Sequence, residues 1–122
     1  MKTIHAIALL AALAFSTAAQ AGDAAKGQKV FVKCKTCHEV ATEKKKIGPT
    51  LKGIMGRKAG TVEGFVYSDA MKASGITWGE DTLKPYLADP KAVVPGGKMV
   101  FTGLKKEDDI EDVLAYLAEA TK

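Results

Sequence analysis

The chain has 122 residues, with 18 basic and 14 acidic side chains, a formal net charge of +4 and two cysteines. A length of this order supports one small domain whose own side chains form a modest core. The basic excess is weaker and less clustered than in nucleic-acid-binding proteins, and no nucleic-acid-binding motif accompanies it, so that class of function is excluded.

The first 21 residues have the pattern of a secretory signal peptide. A basic start at Lys2 is followed by an apolar run over residues 4–15 and an A-Q-A cleavage pattern over residues 19–21. The apolar run is shorter than the about 20 residues of a membrane span, so a retained anchor is the less favoured interpretation. We expect cleavage after Ala21, export to the periplasm, and a single domain over residues 22–122 with a net charge of +3.

A helix is predicted from Ala24 to about Thr36, with Asp23 in position to cap its first turn. Apolar residues recur through it at helical spacing. Gly27 costs such a helix roughly 1 kcal/mol relative to alanine. It suits the close approach of a second helix, and a tolerated glycine without a role is the open alternative.

The most specific motif is the C-x-x-C-H run at residues 34–38, which is typical of covalent haem attachment. In a helical segment Cys34 and Cys37 lie about one turn apart, so both sulfurs can reach the two vinyl groups at one edge of a porphyrin. The ring of His38 then faces the iron. The motif predicts one covalently bound haem c.

Zinc, a dithiol redox pair and a structural disulfide are less favoured interpretations of the two cysteines. Structural zinc needs four ligands, and the other histidine, His5, lies in the segment expected to be removed. A redox pair is expected in a βαβ setting, whereas this chain has mostly helix signals. A disulfide leaves His38 unexplained.

The middle of the chain is predicted to be mainly loop. Lys44-Lys45-Lys46 is interpreted as a solvated loop. Gly48-Pro49 marks a turn, and a loop carbonyl in this region can accept the second N–H of His38. Four glycines punctuate residues 53–64, which predicts an irregular loop rather than a helix.

Short helices are predicted at residues 68–74 and 80–88. The first is capped by Ser68 and stopped by Gly75, and the second has Thr77 and Glu80 at capping-box spacing, with Pro85 as a kink. Asp-Pro at 89–90 restarts a helix, and Pro-Gly-Gly at 95–97 forces a turn. Trp78, between the two helices, needs a partner for its indole N–H, either a haem propionate or a backbone carbonyl.

The last helix is the clearest. Acidic residues at 107–109 favour a helix N-terminus, and an apolar stripe follows at spacings of 3, 4, 7 and 8. The stripe comprises Ile110, Val113, Leu114, Leu117 and Ala118. We expect it to pack against the first helix, so that both ends of the chain meet.

A second axial ligand is predicted from the methionines, because no second histidine remains in residues 22–122. Met55, Met71 and Met99 are the candidates. Met99 is favoured because the stiff proline and two glycines at 95–97 let the backbone turn sharply towards a flat ring. His/Met coordination leaves no open iron position and suits an electron carrier.

In order along the chain, these motifs resemble class I cytochrome c, the soluble monohaem carriers of bacteria and mitochondria, over nearly all of residues 22–122. The matching motifs are Gly-x-x-x-Phe at 27–31, CKTCH at 34–38, Gly-Pro at 48–49, Gly-Ile-Thr-Trp at 75–78, Pro-Gly-Gly-Lys-Met at 95–99 and Leu-Ala-Tyr-Leu at 114–117. The resemblance implies an all-α cytochrome c fold, in which the terminal helices cross and short helices and loops surround the haem.

The resemblance also implies roles for individual residues. Thioether bonds form at Cys34 and Cys37, and His38 and Met99 are the axial ligands of the iron. The other implied positions are Pro49 accepting from His38, Arg57, Tyr67 and Trp78 at the inner propionate, Tyr86 near the methionine sulfur, and Gly27 against Tyr116. Two departures from mitochondrial relatives, Met71 for asparagine and Gly97 for threonine, remove polar partners from the haem surroundings.

The implied function is that of a soluble, monomeric, periplasmic single-electron carrier of a respiratory or photosynthetic chain, not an enzyme, with no membrane insertion. Its expected partners are redox proteins with acidic docking surfaces. The candidate docking residues are Lys33, Lys35, Lys91, Lys98 and Lys105. A ligand-binding or peroxidase-like haem protein with a labile sixth ligand is the alternative hypothesis, and a non-haem structural or zinc module is a third.

Overall fold

The computed structural model describes residues 11–12 and 22–122, so the predicted signal peptide lies almost wholly outside the described residues. Within residues 22–122 the helices are α1 (Ala24–Val30), α2 (Asp69–Lys72), α3 (Glu80–Ala88), α4 (Pro90–Val93) and α5 (Glu107–Ala120). In this part of the chain β-structure is limited to an isolated antiparallel bridge between Lys58 and Thr77. No helix of the described residues is long and apolar enough to span a membrane.

Helix α1 begins where predicted and ends earlier. The Asp23 carboxylate accepts hydrogen bonds from the N–H groups of Ala25 and Lys26, at 2.9 and 3.1 Å, which confirms the cap. The predicted extension to Thr36 is wrong, because the helix tightens into a 3₁₀ turn over Phe31–Lys33. Such tightening is common at helix C-termini, and it places the C-x-x-C-H run after the helix.

Helices α1 and α5 form the main helix contact of the domain. A Cβ atom on Gly27 would lie 1.9 Å from the carbonyl oxygen of Asp112 and 2.8 Å from Cβ of Tyr116. The rings of Phe31 and Tyr116 lie 5.3 Å apart between centroids. Of the two interpretations of Gly27, close helix approach is therefore confirmed.

The predicted apolar stripe of α5 is correct for four of its five members, since Ile110, Val113, Leu114 and Leu117 are buried. Ala118 is exposed. At about 100° per residue, Ala118 lies about 80° around the helix from Ile110 and outside the arc of the four buried residues, whereas position 121 lies about 20° from Ile110 and within that arc. Thr121 is accordingly 2% exposed, and its hydroxyl donates to the carbonyl of Leu117 at 2.6 Å.

Helix α3 has the predicted bounds, continues across Pro85, and differs at its cap. The predicted pairing of Thr77 with Glu80 is wrong, because the capping residue is Gly79. Thr82 supplies the hydroxyl, which accepts from the N–H of Gly79 at 2.9 Å and donates to the carbonyl of Thr77 at 2.8 Å. A glycine cap needs this help from within the helix, since it has no side-chain acceptor of its own.

The remaining short elements follow the predicted signals. The hydroxyl of Ser68 caps α2 through the N–H of Met71 at 3.0 Å, and Asp89 caps α4 through the N–H of Ala92 at 3.2 Å. Gly96 has a φ of +88° in the turn that precedes Met99. Residues 53–64 contain no helix, as expected.

Two loop segments are paired around the tryptophan. The N–H of Gly56 donates to the carbonyl of Trp78 at 2.7 Å, and the N–H of Trp78 donates to the carbonyl of Arg57 at 2.8 Å. This pairing fixes Trp78, which is 7% exposed, in the core. The buried apolar residues of the core are Phe31, Ile54, Ala59, Trp78, Leu83, Tyr86, Val94, Leu104, Ile110, Val113, Leu114 and Leu117.

Candidate haem site

The C-x-x-C-H run forms a single turn directly after the 3₁₀ segment. The N–H groups of Cys37 and His38 both donate to the carbonyl of Cys34, at 3.1 and 3.0 Å. Both cysteines are half-buried free thiols. Burial is the main cause that raises the pKa of the Cys34 thiol, neighbouring Cys37 adds to it, and the positive charge of Lys33 opposes it.

The imidazole of His38 is held by one hydrogen bond. Its Nδ1 lies 2.7 Å from the carbonyl oxygen of Pro49. A carbonyl can only accept, so Nδ1 carries the proton and Nε2 retains its lone pair. Burial lowers the pKa of His38, and the charges of Arg57 and Lys46 lower it further against the opposing effect of the Pro49 bond. The ring is therefore neutral and oriented, as a metal-ligating histidine requires.

Gly48 provides the space for this ring, a role that the sequence interpretation did not assign. A Cβ atom there would lie 2.5 Å from Cε1 and 2.9 Å from Nδ1 of His38. Its N–H donates to the carbonyl of Cys37 at 2.8 Å, so the turn is pinned beside the motif. The Gly-Pro pair signalled the turn, but nothing in it signalled the contact with the ring.

Met55, Met71 and Met99 are all half-buried and pack against the core, so burial does not distinguish them. Met99 has one further contact, because its Sδ lies 4.0 Å from the hydroxyl of Tyr86. Tyr86 is 8% exposed, and burial raises its pKa. Its ring packs against Trp78 with centroids 4.8 Å apart.

The residues predicted at the propionate lie on the loops after the histidine. The guanidinium of Arg57 donates to the carbonyls of Thr50 and Lys52 at 2.8 and 2.9 Å, which leaves three of its five N–H donors. Burial lowers the pKa of Arg57, and Tyr67 opposes that shift. The Tyr67 hydroxyl accepts from the N–H of Val62 at 3.1 Å.

The candidate docking lysines are all exposed. Two of them already make hydrogen bonds. The ammonium of Lys98 donates to the carbonyl of Val66 at 3.3 Å, and that of Lys105 to the carbonyl of Thr102 at 3.0 Å. The lysine run at 44–46 is exposed as well, which agrees with a solvated loop.

Comparison with known proteins decides the family. The family model described as cytochrome c matches residues 24–121. The chain is 54% identical to cytochrome c2 of Rhodomicrobium vannielii over 120 residues, which cover 97% of this chain and 96% of the relative. The chain belongs to the cytochrome c family. Cytochrome c2 of Blastochloris viridis is 47% identical over 119 residues, covering 97% of this chain and 92% of that protein.

A solved structure agrees with the sequence relatives. Cytochrome cH from Methylobacterium extorquens is 52% identical, with a TM-score of 0.75, and the match covers 80% of this chain and 98% of that one. The all-α cytochrome c fold predicted from the sequence is therefore confirmed. Family membership makes this cytochrome c an electron carrier rather than an enzyme, with one haem c bound covalently through Cys34 and Cys37.

The described residues of this cytochrome c suit a c-type haem. Two free thiols lie one turn apart, and the adjacent histidine is oriented by Pro49. The lone pair on its Nε2 remains available to bind iron. Gly48 keeps the space beside that ring clear. In the described part of the chain, no group of three or more His, Cys, Asp or Glu side chains is placed to hold a metal ion.

Proposed function

We propose that this cytochrome c is an exported, periplasmic single-electron carrier in which His38 and Met99 coordinate the haem iron. The observation that chiefly supports the proposal is the 2.7 Å contact between Nδ1 of His38 and the carbonyl of Pro49. It presents a neutral ring with a fixed orientation. The contact of the Tyr86 hydroxyl with Sδ of Met99 supports Met99 over the other two methionines.

When bound, the haem supplies a one-electron Fe(III)/Fe(II) couple. Pro49 and Gly48 hold the ring of His38 still, so this ligand needs no reorientation between oxidation states. On the methionine side, the buried Tyr86 has its hydroxyl 4.0 Å from Sδ of Met99, and its ring packs against the buried Trp78. A protein that holds both ligands in place reorganises little when one electron moves, and it offers no open iron position for bond-making chemistry.

Arg57 is proposed to bind an inner haem propionate. Its half-buried guanidinium keeps three N–H donors free of protein acceptors, and charge-assisted hydrogen bonds to a carboxylate are the strong kind. Tyr67 and Trp78 are proposed to contribute to the same site. These three residues lie on loops held together by the pairing of residues 56–59 with residues 76–78.

The docking surface is proposed to consist of exposed lysines that meet an acidic patch on each redox partner. Complementary charge accelerates encounter more than it strengthens binding, which suits a carrier that must leave its partner quickly. The protein is proposed to act as a monomer between complexes of a respiratory or photosynthetic chain. The lysines concerned are Lys33, Lys35, Lys91, Lys98 and Lys105.

Export is proposed to follow the signal peptide, with cleavage after Ala21. Gly22, the first residue of the predicted mature chain, lies against the backbone of α5, which supports a folded domain that includes this residue. Mass spectrometry of the native exported protein tests this directly, since a first residue other than Gly22 contradicts it.

The proposed ligand set is tested by spectra of the native haem protein and three single variants. We expect the oxidised protein to show low-spin c-type bands and a weak far-red band from methionine bound to ferric iron. Met99→Ala should abolish the far-red band and open the iron to carbon monoxide in the reduced state. Met55→Leu and Met71→Leu are matched controls that should retain the band.

Two results would overturn the ligand proposal. A high-spin oxidised spectrum of the native protein would show that the sixth position is open, and it would favour the ligand-binding or peroxidase-like alternative. Loss of the far-red band in Met55→Leu or Met71→Leu, with retention in Met99→Ala, would transfer the ligand role to another methionine.

A further inference from the structure

Gly22 lies against the backbone of α5, 89 residues further along the chain. It has a φ of +93°, and a Cβ atom on it would lie 2.2 Å from the carbonyl oxygen of Glu111. The contact leaves no room for a side chain, so glycine is required at this position whether or not Ala21 is attached. The first residue of the predicted mature chain is therefore packed in place.

The nitrogen of Gly22 must lie near the carboxylate of Asp112. The N–H of the next residue, Asp23, donates to Oδ1 of Asp112 at 2.8 Å. Standard bond lengths separate successive backbone nitrogens by at most about 3.7 Å. The nitrogen of Gly22 is consequently at most about 6.5 Å from Oδ1, and a small rotation of the free chain end brings it within the about 4–6 Å over which opposite charges shift each other's ionisation.

The charged groups around this point are mostly acidic. On α5, the Asp112 carboxylate accepts from the N–H of Asp23. Glu111 pairs with Lys84 of α3 through Oε1. The other oxygen of Glu111, Oε2, is buried without a hydrogen-bond partner. Asp108 stands one turn before Asp112. On the α1 side, the charge of Lys26 and the positive end of the helix dipole disfavour a second cation. The Asp23 carboxylate caps that helix end and offsets its positive charge.

We propose that signal-peptide cleavage after Ala21 creates an α-ammonium group on Gly22 that pairs with the carboxylate of Asp112 and so completes the contact between α1 and α5. Water hydrolyses the Ala21–Gly22 peptide bond, leaving a carboxylate on Ala21 and an amine on Gly22 that takes up a proton. Maturation thus stabilises the fold as well as releasing the chain. The inference rests on the cleavage site proposed above.

The pairing makes stability depend on pH near neutrality. An α-amino group ordinarily titrates somewhat above pH 7, and a neighbouring carboxylate raises its pKa in the folded state. The added stability is then fully present below the pKa of the unfolded chain and is lost as pH rises through the folded pKa. The effect should be present at about pH 6 and absent at about pH 10.5.

The test compares haem-loaded proteins that begin at Gly22 with the same proteins carrying one extra alanine before it, each released by a site-specific protease. The extension moves the ammonium by up to about 3.7 Å and leaves the peptide otherwise unchanged. At pH 6 we expect the extension to lower the thermal midpoint by about 2–4 °C. At pH 10.5 the two midpoints should agree.

Asp112→Asn supplies the partner variant, because its amide oxygen still accepts from Asp23 while the charge is gone. In that background the extension should have no effect at pH 6. Glu119→Gln, the same charge change two turns later on α5, should retain the full effect. The proposal is overturned if the extension has no effect at pH 6 in the native background, or an equal effect in Asp112→Asn. Because the released proteins have defined ends, this result is independent of where the native signal peptide is cleaved.

Discussion

Four glycines lie where the Cβ atom of any other residue would overlap a neighbour. Besides Gly22, they are Gly27 at the crossing of α1 and α5, Gly48 at the ring of His38, and Gly103, where a Cβ atom would lie 2.1 Å from the carbonyl of Ala88. Three of these contacts are with backbone atoms, which cannot move away by rotating about a side-chain bond. Gly48 differs, because the overlapped group is the imidazole of His38, the proposed axial ligand.

Gly48→Ala should therefore disturb the ligand as well as the fold. We expect a loss of about 1–3 kcal/mol in the free energy of unfolding, from overpacking against the imidazole. The His38 ring must shift from Pro49, so the paramagnetic NMR shifts of its protons and the reduction potential should also change. Denaturant titration, NMR and voltammetry of the oxidised protein measure the three effects.

Gly53→Ala is the matched control for this variant. Gly53 has a φ of +72° and nothing within 4 Å of an added Cβ atom. Its substitution should cost about 1 kcal/mol from the left-handed backbone alone and leave the spectrum and potential unchanged. If both variants lose stability but neither alters the NMR signals of His38, the inference that Gly48 leaves the space for the His38 ring is wrong.

Among the elements, the loop that carries Met99 has few backbone contacts with the rest of the domain. Within the described residues, no backbone hydrogen bond of residues 98–101 reaches another segment. The loop is instead held by the ammonium of Lys98, which donates to Val66, and by the contact of Tyr86 with Met99. An exposed lysine thus connects the methionine loop to the chain before α2.

Lys98→Ala should make this loop open more often. Losing one such hydrogen bond costs about 0.5–1 kcal/mol, which corresponds to roughly a two- to five-fold increase in the open fraction. The rate at which imidazole binds to the oxidised protein should rise by that factor. Lys98→Arg, which can still donate to Val66, should restore the native rate.

Lys105→Ala is the matched control, because it removes the same charge from the same region and its ammonium bonds only within its own loop, to Thr102. Its imidazole binding rate should stay near the native value. Equal acceleration in both variants would attribute the effect to charge and not to the Lys98 contact.

For single helices, prediction from sequence was correct where the deciding interaction joins residues close together in the chain. The caps Asp23, Ser68 and Asp89 were predicted correctly because each acts within four residues. The bounds of α3 were also correct, while its capping hydroxyl was assigned to Thr77 instead of Thr82, since both threonines flank the helix start at plausible spacing.

Other errors and omissions arose where distant segments meet. Ala118 extended the stripe by a simple spacing count, although the helical angle and the contact of Thr121 with the N–H of Gly53 decide which residue is buried. The space that Gly48 leaves for His38 depends on how a loop folds back over ten residues. Such contacts are set by tertiary packing and have no local pattern.

For the molecule as a whole, charge is the property on which the proposed docking to acidic partners depends. The net charge of +4 is modest, and the candidate docking lysines are all exposed. At about 10 mM ionic strength the screening length is about 30 Å, which is comparable to the size of the domain, and it falls to less than 10 Å above physiological salt. Encounter rates should therefore depend strongly on salt.

We expect electron transfer from the reduced protein to an acidic redox protein to slow steadily between about 10 and 300 mM ionic strength, as measured by stopped-flow absorbance. Lys33→Gln should lower the rate at low salt by roughly two- to five-fold. Lys26→Gln, an equal charge change on the first turn of α1, should lower it less. A rate independent of salt would remove charge steering from the proposed function.

The crossing of α1 and α5 joins the first and last helices of the domain, with the Asp23 N–H bonded to Asp112 across 89 positions. Ribosomes make the chain from its first residue, so α1 emerges long before the helix that it packs against. A helix of seven residues is unstable alone. We therefore expect the growing chain to remain unfolded until synthesis is nearly complete, so that the export proposed above would act on an extended polypeptide.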